Sequence, residues 1–238
     1  MSTGKVYLIP TVLHEDEQSL QTLPAYLPDA VKNCSVFFVE NEKTARRFLK
    51  KIWKEMVIDN YTWYTIHKAE DQVKSQFLAA LKSGKNIGII SEAGCPGVAD
   101  PGQLLVSAAQ DAGAVVHPLV GPSSILLALM ASGMNGQGFQ FSGYLPIDSI
   151  ARKKALKDLE TDSAKRNCTQ IFIETPYRNN QLLKDILESC KNETRICVAA
   201  DITAQTESIQ TKTVLEWKKK LADYHKRPAI FLLHAHNG

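Results

Sequence analysis

The sequence predicts an α/β protein built from two α/β domains, and three observations carry that expectation. Short runs rich in β-branched and aromatic residues alternate along the chain with longer stretches of helical spacing. The short runs are mostly apolar throughout, as strands buried on both faces of a sheet tend to be. Between Val120 and Pro146 the density of glycine and proline rises, in "GPSS", "SGMNGQG" and "SGYLP", between an alternating first half and a second half of different character.

In chain order the strands are expected at Val6–Ile9, Ser35–Val39, Ile87–Ile90, Val115–Val120, Thr169–Ile173, Arg195–Ala199, Ser208–Thr213 and Ala229–Leu233. The helices fall at Glu42–Lys54, Glu70–Lys82, Leu104–Ala112, Ser123–Ser132, Ile150–Leu159, Asn179–Ser189 and Val214–Ala222, several of them closed by glycine or lysine. Strict β/α alternation in the first half favours parallel pairing. The two strands within Arg195–Thr213 have a short connection and add antiparallel pairing, so the second half is expected to hold a mixed sheet. The boundary is placed at the start of the Gly/Pro-rich segment, giving domains 1–120 and 121–238.

Composition limits the function. The 238 residues are 44% hydrophobic, enough for a substantial core. A formal net charge of +3 permits an anionic partner without requiring one. Cys34, Cys95, Cys168, Cys190 and Cys197 are scattered, with no C-x-x-C pair, so neither a disulfide framework nor a zinc site is suggested and a reducing cytoplasm fits. No secretory leader and no apolar run of membrane-spanning length are recognised, which points to a soluble cytoplasmic protein. His234 and His236 would share one strand face without a third ligand, and no metal is expected.

The most informative stretch is Ser91–Gly102, "SEAGCPGVADPG". A phosphate-binding turn needs free backbone N–H groups and no negative charge nearby, yet Pro96 and Pro101 lack the N–H while Glu92 and Asp100 would repel an anion. Gly94 and Gly97 remove Cβ atoms where a ligand could approach, and the carboxylates suit a positively charged one such as S-adenosylmethionine. The plain alternative is a tight βα turn with Asp100 helping to cap the next helix.

"SEAGCPGVADPG", then "GPSSILLALMASGM", "FSGYLP" with lysines after it, and "IFIETPYR" resemble, in this order, the motifs of the tetrapyrrole-methylase superfamily. They are most similar to its branch of small-subunit ribosomal RNA cytidine 2′-O-methyltransferases. The resemblance runs from Val6 to about Leu233. It implies two α/β domains, a cofactor cleft between them holding S-adenosylmethionine, and usually a homodimer. Carried over by position, Gly94, Cys95 and Pro96 would lie along the cofactor, with Val98 and Asp100 nearby and Ser123 and Ser124 facing it. In the second domain Phe172, Ile173, Thr203, Pro228 and Ala229 would run beside the adenosine through backbone contacts.

The resemblance implies methyl transfer to ribosomal RNA at the ribose 2′-hydroxyl. A small tetrapyrrole-like acceptor is the enzymatic alternative, and a cofactor-binding RNA-binding or regulatory protein without turnover is the non-enzymatic one. Glu174, Asp100 and His67 are the candidate proton acceptors, in that order. Arg178 is a candidate substrate contact, although Glu174 and Arg178 could instead pair with each other. Arg152, Lys153 and Lys154 could meet RNA phosphates or simply solvate a helix face. Cys95, where the branch commonly has threonine, reads as a small lining residue rather than a nucleophile. Three blocks depart from the branch pattern: Pro10-Thr11-Val12-Leu13-His14 for Thr-Pro-Ile-Gly-Asn, Glu40-Asn41-Glu42-Lys43 for Glu-Asp-Thr-Arg, and Ala200-Asp201-Ile202-Thr203-Ala204 for Arg-Glu-Leu-Thr-Lys.

Overall fold

A computed structural model describes residues 3–16, 18–66 and 71–235, with 71 and 72 described in their backbone only. The chain divides into two units at Ser123/Ser124.

The first unit holds a five-stranded parallel sheet. Its strands are β1 (Val6–Ile9), β2 (Val36–Val39), β3 (Thr62–Thr65), β4 (Ile87–Ile90) and β5 (Val116–Pro118), in the order β3-β2-β4-β1-β5. Side chains alternate across the pleat, so Phe37, Val39, Ile9 and Ile90 point to one face and Val36, Phe38, Val6 and Ile89 to the other. Helices α1 (Leu27–Lys32) and α2 (Glu42–Ile52) cover the first face, while α3 (Asp71–Lys82) and α4 (Gln103–Asp111) cover the second. The connections leaving β1 and β4 therefore diverge to opposite faces at the carboxyl ends of two neighbouring strands. In a doubly wound sheet that divergence opens the crevice where ligands bind. The two segments that start there are Pro10–His14 and the Ser91–Gly102 loop.

The second unit holds β6 (Phe139–Tyr144), β7 (Thr169–Ile173), β8 (Arg195–Ala200), β9 (Ser208–Thr213) and β10 (Ala229–His234), in the order β6-β7-β10-β8-β9. β6 and β7 are parallel and every other pairing is antiparallel. Phe172, Ile196, Val198, Phe231 and Leu233 pack under α6 (Ser149–Arg166), α7 (Asn179–Ser189) and α8 (Val214–Lys219), through Leu156, Leu182, Ile186 and the fully buried Trp217. Helix α5 (Ser124–Ser132) takes no part in that cluster and packs against β8, β9 and β10.

Several element bounds differ from expectation for identifiable reasons. β3 and β6 were not anticipated: both are edge strands without the continuous apolar run of a central strand, and β6 lies among glycines. α6 runs on to Arg166 because Glu160 and Ser163, which break the apolar pattern, are buried and bonded. Glu160 accepts hydrogen bonds from the Lys191 backbone N–H at 2.8 Å and from the Thr194 hydroxyl, and Ser163 Oγ accepts from Ala235 N–H at 2.9 Å.

Candidate functional site

In the first unit the site is the Ser91–Gly102 loop and its surroundings. Thr11 N–H donates to Gly94 O at 2.9 Å, tying the segment after β1 to the loop after β4. Within the loop Val98 N–H donates to Cys95 O and Gly97 N–H to Pro101 O, both at 3.3 Å. Gly94 and Gly97 hold φ of +74° and +79°, and Ala99 holds +62°, a conformation that costs an L-residue roughly 1 kcal/mol or more.

The reason for glycine differs at the two positions. A Cβ on Gly94 would stand 3.3 Å from both Leu13 Cδ2 and Pro122 O, so the chain itself crowds that position. A Cβ on Gly97 would meet nothing within 4 Å, leaving open space beside the backbone for a ligand. Asp100 does not cap α4; Gly102 is the N-cap residue, without a side-chain cap.

Carboxylates gather around the loop. Glu40 Oε2 accepts from Glu92 N–H at 3.0 Å, and Glu92 Oε1 accepts from Thr44 Oγ1 at 3.3 Å. Asp100 is pushed up to about 6, first by burial and then by the negative charges of Glu40 and Glu92. Burial and Asp100 likewise push the Cys95 thiol up, and its Sγ–H donates to Pro122 O at 3.5 Å. That is the chemistry of a lining residue, since the nucleophile would be the thiolate. Asn41, standing where the branch pattern has aspartate, caps α2 by accepting from Lys43 N–H at 3.0 Å and Thr44 N–H at 3.3 Å.

The raised Asp100 makes a pH prediction. A carboxyl whose folded value lies above its ordinary 3.8 favours folding while protonated; that contribution is complete below about pH 4 and lost as pH rises through about 6. Asp100→Asn keeps the neutral state at every pH. Urea melts should find it more stable than the parent protein by about 1–2 kcal/mol at pH 7.5, the figure discounted for partial exposure, with the gap closing near pH 4. A gap independent of pH would rule out this origin.

A cavity of about 260 Å³ opens beside the loop, lined by Thr11–Asp16, Leu20, Thr44, Ala45, Arg47, Phe48, Lys51 and Ser91–Ala93. Two of the three blocks that depart from the branch pattern thus border one cavity or the cap of its helix.

In the second unit, Glu174 is buried and accepts from Thr175 N–H at 2.7 Å and from Arg178 Nη2 at 2.6 Å. Burial raises its carboxyl, but the bonds from Arg178 and Thr175 outweigh that and hold it below the usual value. Of the two readings of this turn, the mutual pairing is the one the geometry displays.

Thr203, at φ +76°, donates its N–H to Glu207 Oε2 at 2.8 Å, and its buried hydroxyl has no hydrogen-bond partner among the described residues. It lines a cavity of about 340 Å³ with Leu127, Met130 and Ala131 of α5 and with Ile202, Glu207 and Ile209. The orphaned hydroxyl belongs to a residue of the cavity wall, whose other members are mostly apolar. Asp201 accepts from Arg227 Nε at 2.7 Å, and its own N–H donates to Pro228 O at 2.9 Å, so the loop is fixed against the Pro228–Ala229 segment.

Arg152 requires a correction. Expected on a solvated face or at RNA phosphates, it is 3% exposed; its Nε and Nη2 donate to Asp185 Oδ2, and its Nη1 donates to Pro146 O at 3.2 Å and Ile147 O at 2.6 Å. With every nitrogen engaged inside the protein it has nothing to offer a phosphate. Lys153 pairs with Glu188 at 2.6 Å, while Lys154 is exposed. Phe172 is fully buried and stacks on Phe231 in the core, so its ring is not open to a ligand. Val98 is exposed, and Ser123 and Ser124 are half-buried at the junction of the two units. His67 and His236 lie outside the described residues. Among the described residues no group of three or more His, Cys, Asp or Glu could hold a metal ion, and no helix is long and apolar enough to cross a membrane.

A doubly wound parallel unit with a glycine-rich loop at its strand ends, followed by a mixed-sheet unit, defines an α/β protein of two sheets. The chain belongs to the tetrapyrrole (corrin/porphyrin) methylases, whose family profile matches residues 20–217. It is 36% identical over 177 residues to a Vibrio cholerae protein named ribosomal RNA small subunit methyltransferase I, covering 73% of this chain and 60% of that one. An Escherichia coli O157:H7 protein of the same name is 32% identical over 183 residues, covering 75% and 63%. The matched stretch thus spans under two thirds of the length of either relative. Among solved structures, the methyltransferase CobJ superposes with a TM-score of 0.63 at 16% identity, covering 98% of this chain and 94% of that one. A Thermus thermophilus uroporphyrin-III C-methyltransferase complexed with S-adenosylhomocysteine gives 0.58 at 14%, covering 97% of each. These likenesses establish the fold.

Proposed function

We propose that the chain is an S-adenosylmethionine-dependent methyltransferase acting on small-subunit ribosomal RNA at a ribose 2′-hydroxyl. The observation that carries this is the Ser91–Gly102 loop, set at the diverging ends of β1 and β4, backed by carboxylates, and lying within the stretch shared with the RNA methyltransferase relatives. When bound, S-adenosylmethionine supplies an electrophilic methyl group on a cationic sulfur. The acidic surround of Glu40, Glu92 and Asp100 complements that charge, and Gly97 leaves the backbone open to approach. Gly94, Cys95, Pro96, Val98, Asp100 and Ser123 are the first-unit candidates to hold it, and Ser124 opens the second unit's candidates. Phe172, Ile173, Thr203, Pro228 and Ala229 are the others of the second unit.

Transfer needs the acceptor hydroxyl positioned, water excluded and its proton received. Asp100, at about 6, titrates near neutral pH and suits the last task better than Glu174, which Arg178 holds ionised and occupied. The cavity lined by Thr11, Thr44, Phe48 and Arg47 is the proposed seat of the acceptor. A cytoplasmic homodimer is part of the same proposal.

Two measurements test it. At a hundredfold excess over its Kd, S-adenosylhomocysteine should stabilise the protein by about 2.7 kcal/mol, raising the melting temperature by roughly 5–10 °C. Tritiated S-adenosylmethionine should label RNA of small ribosomal subunits taken from cells lacking this protein. Binding of the cofactor product with label entering only a small-molecule fraction would move the acceptor away from RNA. Absence of both binding and label would overturn the proposal.

A further inference from the structure

At the end of the second sheet where β6 and β7 finish, four large side chains project into solvent. Tyr144, in register with Ile173, is 63% exposed; Ile147 and Ile150 are 71% and 82% exposed, and Tyr177 is 69% exposed. Apolar groups this open, clustered at the start of α6 and the turn after β7, mark a contact surface.

Two cations, Arg178 and Lys226, and the His225 imidazole lie near them. Arg178 is within electrostatic reach of Tyr144, with one Nη2 bond to Glu174 at 2.6 Å; its Nε is buried and has no hydrogen-bond partner among the described residues. The His225 ring lies edge-on to Tyr177 at 6.1 Å. Lys226 N–H donates to Pro176 O at 2.9 Å, bringing that exposed lysine to the same turn. The surface is held in shape from beneath: Arg152, anchored on buried Asp185, grips the carbonyls of Pro146 and Ile147.

We propose that this surface binds an unpaired stretch of substrate RNA, with bases stacked on Tyr144 and Tyr177 and an intervening phosphate on Arg178. The inference rests on the RNA reading above and adds the form in which the RNA is recognised. Aromatic faces set beside cations complement a chain of bases and phosphates. A duplex keeps its base faces stacked on one another and cannot use the tyrosines, so the surface selects unpaired RNA.

The test uses the full chain with S-adenosylhomocysteine and a fluorescent, unstructured oligoribonucleotide of mixed sequence, followed by anisotropy, with the same strand annealed to its complement as the comparison. Tyr144→Ala with Tyr177→Ala should weaken binding of the unpaired strand about a hundredfold, roughly tenfold per base lost, and leave the duplex unaffected. Because no charge is removed, the slope of log affinity against log salt should not change, whereas Arg178→Gln should lower it by about one phosphate contact. Tyr144→Phe with Tyr177→Phe should retain affinity. Both positions are exposed, and unchanged S-adenosylhomocysteine titrations confirm that the variants are folded.

A parent protein that binds the oligonucleotide while the alanine pair binds it equally well overturns the inference and leaves the RNA reading standing. Equal losses for strand and duplex also overturn it. If the alanine pair changes the sedimentation state and not RNA affinity, the surface belongs to a second copy of the chain. A parent protein that binds neither RNA form removes the underlying RNA reading.

Discussion

Arg152→Ala should cost the second unit about 3–5 kcal/mol, the usual result of leaving one partner of a buried ion pair without its counter-charge. The stranded group is Asp185, whose side chain is 1% exposed and which then keeps, among the described residues, the Gln181 amide at 3.1 Å and a Lys153 ammonium at 3.9 Å. The substitution also frees the carbonyls of Pro146 and Ile147, so the turn before α6 loosens together with the pair. Arg152→Lys should recover only part of the loss, because an ammonium cannot reach one carboxylate and two carbonyls as a planar fork does. Replacing the pair with methionine and leucine should recover more, since neither a charge nor an unpaired group is then buried. Urea titration of the three variants reads all of this. If Arg152→Ala melted like the parent protein and lost only RNA affinity, the original phosphate-contact expectation would be restored.

Gly94→Val should lower stability by about 2–4 kcal/mol, combining the penalty of a β-branched residue at φ +74° with crowding against Leu13 and Pro122. Gly94→Asn separates the two causes, because asparagine tolerates the left-handed region and its Cβ has to displace neighbours by only a few tenths of an ångström. It should therefore melt within about 1 kcal/mol of the parent protein. Its affinity for S-adenosylmethionine should still fall at least roughly tenfold, about 1.4 kcal/mol, because Gly94 O is bonded to Thr11 and any shift there moves the start of the Cys95–Pro96 segment. Denaturant melts beside titration calorimetry decide it. A stable Gly94→Asn protein with undiminished affinity would mean that the cofactor does not depend on this part of the loop.

Much of the first unit was legible because its central strands are apolar on both faces, and Val36–Val39 and Ile87–Ile90 are fully buried, four residues out of four. Edge strands escaped that signal: Thr62–Thr65 is only partly buried, with Thr62 exposed, and Phe139–Tyr144 gains its place from pairing with Thr169–Ile173, a partner far along the chain. Helix α1 was invisible for another reason, being six residues long with a proline in its first turn. At the candidate site, the Ser91–Gly102 loop announced itself through its composition. What the loop touches did not. The approach of Glu40 to Glu92, 52 positions apart, and of Thr11 to Gly94 are products of strand order, which no local pattern encodes. Arg152 misled because its neighbours are lysines; the carboxylate that claims it lies 33 positions away on another helix.

The strand order of the first sheet also sets a schedule. β1 leaves the ribosome well before its partners β4 and β5, which begin 81 and 110 positions later, at Ile87 and Val116. At about 5–20 residues per second, roughly 4–16 s pass before the nearer of them is synthesised. During that interval both hydrogen-bonding edges of β1 are open, and the segment that will meet the Ser91–Gly102 loop has no loop to meet. Only four residues of strand, preceded by the charged Lys5, are on offer to a neighbouring nascent chain, which makes β1 a poor template for mispairing while it waits.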